Sequence, residues 1–198
     1  MAEWMFAYLT FALAGQLTPG PNNLMLAASG ATFGYRRTIP HMLGITLGYP
    51  AMIVAVGFGL GHVFEAYPVV HTALKWAGSA YLLWLAWRIA TAAGDGRRDK
   101  PARGRPLTFL EAAAFQWVNP KAWAMVLSIL GVYTAQAQSY FAALVIIALL
   151  SVAVSVLSTS AWTLLGVGAG KLLNARQLVW FNRAMAALMV ASLAVIWL

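Results

Sequence analysis

One lysine stands apart in a chain that is 62% apolar and only 9% charged. Lys121 follows Asn119 and Pro120 inside an apolar stretch, twelve residues after Phe109. Twelve helical residues span about 18 Å, which leaves the ammonium several ångströms from either surface of a bilayer. A cation at that depth costs at least about 2.5–3.5 kcal/mol on insertion scales, so it faces the protein interior or water and has a partner or a task. Snorkelling to the headgroups is the competing reading. A second polar interruption, Thr18-Pro19-Gly20-Pro21-Asn22-Asn23, lies in another apolar stretch. Proline removes a backbone donor and clashes with the preceding turn, so neither segment can continue as a regular helix. Carbonyls and amides freed there cannot face lipid and must line a cavity or pack against protein.

These residues suit a small anionic or zwitterionic solute. The half-helices that begin at Pro21 and Pro120 would offer amides and a positive dipole end to a carboxylate. Lys121 adds a full charge, and Thr18, Asn22, Asn23, Gln116 and Asn119 supply neutral donors and acceptors. An α-amino group would be accepted by freed carbonyls or asparagine oxygens. The candidate binding set is therefore Thr18, Pro19, Gly20, Pro21, Asn22, Asn23, Gln116, Asn119, Pro120 and Lys121.

The elements that must position this set are membrane helices. A soluble domain is about 45–50% apolar and about 25% charged, whereas this chain of 198 residues has a mean hydropathy of +0.74. Six apolar stretches, at roughly 4–33, 39–64, 70–93, 109–133, 140–168 and 178–198, each reach the length of about 20 residues that a span needs. Trp4, Trp76, Trp180 and Trp197 fall near expected interfaces, and Trp162 falls deeper. The N-terminus carries Glu3 and no basic region, so no signal peptide is expected. The net charge of +8 would suggest nucleic acid in a soluble protein. Here it reports orientation: one face of a six-span arrangement holds only Lys75, the other holds eleven basic residues, and Lys121 lies between. Both termini are expected outside, with no nucleic-acid partner.

The predicted fold class is all-α, with six transmembrane helices arranged as two inverted three-helix repeats, the first helix of each half broken. Residues 1–93 form the first half, 94–108 a basic linker against anionic lipid, and 109–198 the second half. Paired interruptions in two halves are the pointer to a transporter's midplane site, and two of them favour a site over ordinary proline kinks. Ser151, Ser155, Ser158 and Thr159 read as packing glue on span 5. Gly44 and Gly48 let span 2 approach or bend around neighbours, and Ala184, Ala187, Ala191 and Ala194 line one face of span 6. These small-residue faces permit a homodimer. His41, His62 and His71, with no cysteine in the chain, do not read as a metal site, and no cofactor is expected. Glu3, Glu65 and Glu111 lie near span ends, so no carboxylate marks a midplane proton relay. No nucleophile motif or HExxH supports an enzyme.

Four pieces in order, Thr18-Pro19-Gly20-Pro21-Asn22, Gly44 with Gly48, Lys75 to Leu82, and Asn119-Pro120-Lys121-Ala122, carry a resemblance to the LysE/RhtB family of bacterial amino-acid exporters. The stretches 76–87 and 116–121 look most like its cysteine/O-acetylserine exporter branch. The resemblance implies efflux of small neutral amino acids or derivatives across the bacterial inner membrane, powered by the proton gradient. It also implies that Pro19, Gly20, Pro21, Asn22, Asn119 and Pro120 form two re-entrant breaks. The chain departs from the family pattern at Ala112, where many members carry Gly, and at Gln116, where many carry Asn. The leading expectation is a secondary transporter working by alternating access. Export of another solute or cation, or a non-transporting scaffold, are the alternatives.

Overall fold

The computed structural model describes residues 2–60, 68–92, 104–134 and 139–194, all helical apart from short joints, with no strand among them. The helices are α1 (Ala2–Leu17), α2 (Pro21–Phe33), α3 (Tyr35–Ala55), α4 (Pro68–Ala92), α5 (Phe109–Phe115), α6 (Pro120–Ile129), α7 (Tyr140–Leu172) and α8 (Ala175–Ser192). The helix ends follow local chemistry. Pro21 and Pro120 occupy the first turns of α2 and α6, where the missing N–H costs nothing. Gly34 alone joins α2 to α3 at φ 81°, a conformation that other residues rarely adopt. At α5, Thr108 and Glu111 form a reciprocal capping box. Arg105 grips the same carboxylate at 2.6 and 2.8 Å, and these hydrogen bonds raise the Arg105 pKa further above its ordinary value.

Helix α7 is inside out by the standards of a soluble protein. Ser151, Ser155, Ser158, Thr159 and Thr163 are buried, while Val145, Leu149, Leu157, Leu164, Leu165 and Leu172 are exposed. A helix that hides hydroxyls and presents leucines is suited to hydrocarbon, where polar groups glue helices together and apolar ones face outward. By length and composition two of the described helices could cross a membrane, Tyr35–Gly59 and Tyr140–Leu172. The halves α1, α2, α5 and α6 are each too short to cross alone.

The apolar side chains gather in two clusters. One joins α1, α3, α6 and α7 through Tyr8, Met52, Ile53, Val126, Leu144 and Ile147. The other joins α2, α3, α4, α5 and α8 through Leu26, Met42, Leu82, Leu85, Phe115 and Met189. Each broken helix thus sends one half into each cluster, and the breaks lie where the clusters meet. Trp4 belongs to the first cluster and is only 9% exposed, so it is a packing residue rather than an interfacial anchor.

Small residues set the closest approaches. Gly44 and Gly48 of α3 lie against Ala112 and Ala113 of α5; a Cβ on Gly48 would stand 2.7 Å from the Ala113 Cα. That face of α3 is filled from within the chain, and the alanines of α8 at 184, 187, 191 and 194 remain exposed. Along α2 and α7, Gly30 meets the Thr163 backbone, Gly166 the Ala27 carbonyl and Gly170 the Ala31 carbonyl. The sequence reading did not single out this GxxxG pair on α7. Gly168, on another face of the same turn, has open space around it. Gly166→Ala is expected to destabilise the protein by at least about 1–3 kcal/mol through overpacking. Gly168→Ala should leave stability unchanged or raise it, read as apparent Tm of the detergent-purified proteins.

Candidate functional site

The last turns of an α-helix leave carbonyls without intrahelical donors, and at the end of α1 side chains supply the missing donors. Each carbonyl from Gly15 to Pro19 is met by a side chain. Gly15 O accepts from Thr18 Oγ1 at 2.8 Å. Gln16 O accepts from Asn23 Nδ2 at 2.7 Å and from Ser158 Oγ at 2.6 Å. Leu17 O accepts from Trp162 Nε1 at 3.1 Å. Thr18 O accepts from Asn23 Nδ2 at 2.8 Å and from Lys121 Nζ at 2.9 Å, and Pro19 O accepts from Lys121 Nζ at 3.3 Å. Nζ also donates to Thr18 Oγ1 at 2.8 Å.

Lys121 is half-buried, and its ammonium is bound to the opposite break. Its placement matches the preference for a cation at a helix C-terminus. The extended backbone at Gly20 leaves room for the lysine stem, since a Cβ there would lie 2.7 Å from Lys121 Cδ. The stripe on α7 does more than pack. Ser155 Oγ donates to Gln16 Oε1 at 2.7 Å, and Ser151 Oγ is hydrogen-bonded to the Tyr8 hydroxyl.

A second bridge crosses between the breaks. Asn22 Nδ2 donates to Gln116 Oε1 at 2.8 Å, and Gln116 Nε2 returns a bond to Asn22 Oδ1 at 3.3 Å and another to Ala112 O at 2.8 Å. Gln116 is fully buried in the tight turn Gln116–Val118 that ends α5. The extra methylene of glutamine over asparagine lets the amide span both contacts. Ala112, equally buried, packs its methyl at the Gly44 contact. Both Gln116 and Ala112 thus help to hold α5 in place. At α6 the Asn119 side chain caps the Lys121 N–H at 3.2 Å, whereas no side chain caps α2.

Between the breaks lies a cavity of about 40 Å³. Of the residues singled out from sequence, Gly20, Asn22, Asn23, Asn119 and Lys121 line it, and Thr18, Pro19, Pro21, Gln116 and Pro120 do not. Gln16, Tyr49, Met125, Ser158 and Thr159 also line it, and Gln16 and Tyr49 were missed. A glutamine two residues before the Thr-Pro-Gly break was the available signal for the first. Both matter because the Gln16 Nε2 and the Tyr49 hydroxyl are buried with no hydrogen-bond partner. Among the described residues no group of three or more His, Asp or Glu could hold a metal ion. His62 lies outside the described residues, as do residues 94–103 of the linker.

Two interrupted helices joined through a half-buried lysine have the form of the broken helices that line solute sites in many transporters. The LysE type translocator family profile matches residues 13–196, and the chain belongs to that family, one of translocators rather than enzymes. It is 36% identical over 118 residues to the cysteine/O-acetylserine efflux protein of Salmonella typhimurium (strain LT2), covering 58% of this chain and 57% of that protein. The proteins of the same name from Salmonella paratyphi A and Escherichia coli (strain K12) are 35% and 34% identical over the same length. The matched segment thus spans a little over half the length of these curated relatives. No solved structure matches the chain.

The amide bridge gives a direct test of how the breaks are joined. Gln116→Leu should cost about 1–3 kcal/mol, because it leaves the Asn22 amide unpaired. A double-mutant cycle of Asn22→Ala and Gln116→Ala should show a coupling of about 0.5–3 kcal/mol, measured by thermal unfolding in detergent. Additive effects would mean the bridge does not hold the breaks together.

Proposed function

We propose that this protein is a secondary transporter that exports small amino acids or their derivatives, of the cysteine, O-acetylserine, homoserine or threonine kind, across the bacterial inner membrane by alternating access. The observation that carries this reading is Lys121, which ties both breaks together beside a cavity with two unpaired polar groups. A cavity of about 40 Å³ holds a few waters, each needing about 10–15 Å³ of such space, and is too small for an amino acid. The described state is therefore closed at the breaks. Admission of a solute requires its carboxylate to take the place of the Thr18 and Pro19 carbonyls on Lys121, with the uncapped N-terminus of α2 beside it. The released carbonyls are then free to accept from the solute's ammonium. One exchange of partners thus opens the site and fills it.

The same proposal holds that the chain crosses the membrane six times as inverted halves, with both termini outside and the basic linker in the cytoplasm. The helix pairings favour that symmetry. Exchanging α1 for α5, α2 for α6, α3 for α7 and α4 for α8 turns the α3–α5 contact into the α7–α1 contact, and both occur. It also leaves the α3–α7 and α4–α8 pairs unchanged, and both of these occur. The close α2–α7 pairing has only a slight counterpart in α6–α3, so the halves differ most in how firmly the second half-helix is held. Proton coupling and a homodimer through the α8 alanines belong to the same proposal. A non-transporting scaffold has no use for a buried lysine shared by two breaks.

Cells expressing the chain are loaded with dipeptides, and the medium is followed by mass spectrometry for amino acids, O-acetylserine and homoserine. Lys121→Ala and Asn119→Ala are run beside it with membrane insertion checked. Faster release of one solute, reduced about tenfold or more in Lys121→Ala, is the expected result, since a charged hydrogen bond is worth about 1.5–3 kcal/mol. Unchanged release of every solute by a well-inserted chain would overturn export.

A further inference from the structure

A second and larger cavity, of about 350 Å³, lies away from the breaks, between α2, α3, α4 and the segment that leads into α5. That volume is at the lower end of the range, about 300–1,000 Å³, in which small-molecule pockets fall. His41 of α3 lines it, is 1% exposed, and has no hydrogen-bond partner on either ring nitrogen. An imidazole always carries at least one N–H donor, and leaving such a group buried and unpaired is unfavourable. Two arginines stand at the same cavity. Arg105 is neutralised by Glu111. Arg88 has no carboxylate partner among the described residues; it lies 4.8 Å over the Trp84 ring and gives one N–H to the Arg105 carbonyl at 3.1 Å. The remaining wall is mostly apolar, with Met25 and Leu107, and carries the hydroxyls of Ser29 and Thr91.

The cavity lies along the same helix faces as the site at the breaks. On α2, Asn22 lines the smaller cavity, and Met25 and Ser29 line the larger. On α3, Tyr49 and Ile45 line the smaller and His41 the larger. Those spacings of three, four and seven or eight residues keep to one face of each helix. Eight residues from Tyr49 to His41 amount to about 12 Å. We infer that this cavity is a second binding site, a loading site that holds a small carboxylate-bearing amino acid or acyl amino acid before it reaches the breaks. Arg88 binds the carboxylate, and His41 pairs with a polar group of the body. The loading role rests on the export reading; the site itself does not.

The absence of cysteine from the natural chain makes a clean test available. Thr91 lines the cavity and is exposed, so Thr91→Cys places one thiol at its rim. The protein in lipid nanodiscs is labelled with N-ethylmaleimide in the presence of O-acetyl-L-serine, L-serine, acetate or phosphate, with and without phosphatidylglycerol in the bilayer. O-acetyl-L-serine is expected to slow labelling about threefold at a concentration of about twice its Kd, by simple occupancy. His41→Leu and Arg88→Gln, each added to Thr91→Cys and each checked for a monodisperse profile, should abolish that protection. Lys121→Ala in the same background should keep it while losing flux. Labelling that no solute slows would overturn the site, as would protection that survives both substitutions. Protection by phosphate or phosphatidylglycerol alone would also overturn it, in favour of a lipid-headgroup pocket. Protection by a chain that releases no solute from cells supports the site and overturns export. Release without protection overturns the site alone.

Discussion

A peptide carbonyl inside a membrane has no water to turn to, and interrupting a helix there creates several such carbonyls at once. The break after α1 frees the carbonyls from Gly15 to Pro19, and side chains from the break itself and from three other helices meet them. Donors come from the next half-helix through Asn23, from α7 through Ser158 and Trp162, and from the far half through Lys121. This explains why α7 turns its hydroxyls inward, why α2 and α7 touch backbone to backbone, and why a lysine sits between the two breaks. Each of these features, viewed separately, is a cost. Together they pair groups that would otherwise be stranded.

Much of this was legible in the chain. Proline and glycine advertise a break by what they cannot do, so both interruptions fall where the residues placed them. Lys121 stood out as a lone cation within an apolar stretch. Its partner did not, because the carbonyls it binds are 103 residues away in sequence, and no periodicity reports which distant backbone will lack a donor. The serine stripe on α7 read as glue between helices, and its hydroxyls do bond α1, though which groups they bond could not be read from spacing. Gln16 and Tyr49 escaped notice because they sit within runs that read as ordinary helix on either side of the breaks. The burial of Trp4 was not legible, because an amphipathic ring near a terminus suits an interface and a core equally well.

The two apolar clusters give the breaks their setting. A single continuous core would lock both halves of each interrupted helix into one block. Here α1 and α6 belong to one cluster and α2 and α5 to the other, with α3 and polar side chains passing between them. The junction is held by directional bonds, from Lys121 and from the Asn22–Gln116 pair, in place of interdigitated bulk. Hydrogen bonds can exchange one acceptor for another, whereas packed side chains must be pulled apart before they repack.

The contact of α3 with α5 has a mechanical consequence. Where Gly44 and Gly48 lie on Ala112 and Ala113, neither surface has a side chain with rotamers to reset or a knob to lift out of a hole. Opposed surfaces this smooth resist separation through close contact but offer little friction along their length. They form a shear plane. Translation of one half of the molecule past the other along that plane would leave the helices themselves unbent, so that the cost of motion is concentrated at the few bonds joining the breaks.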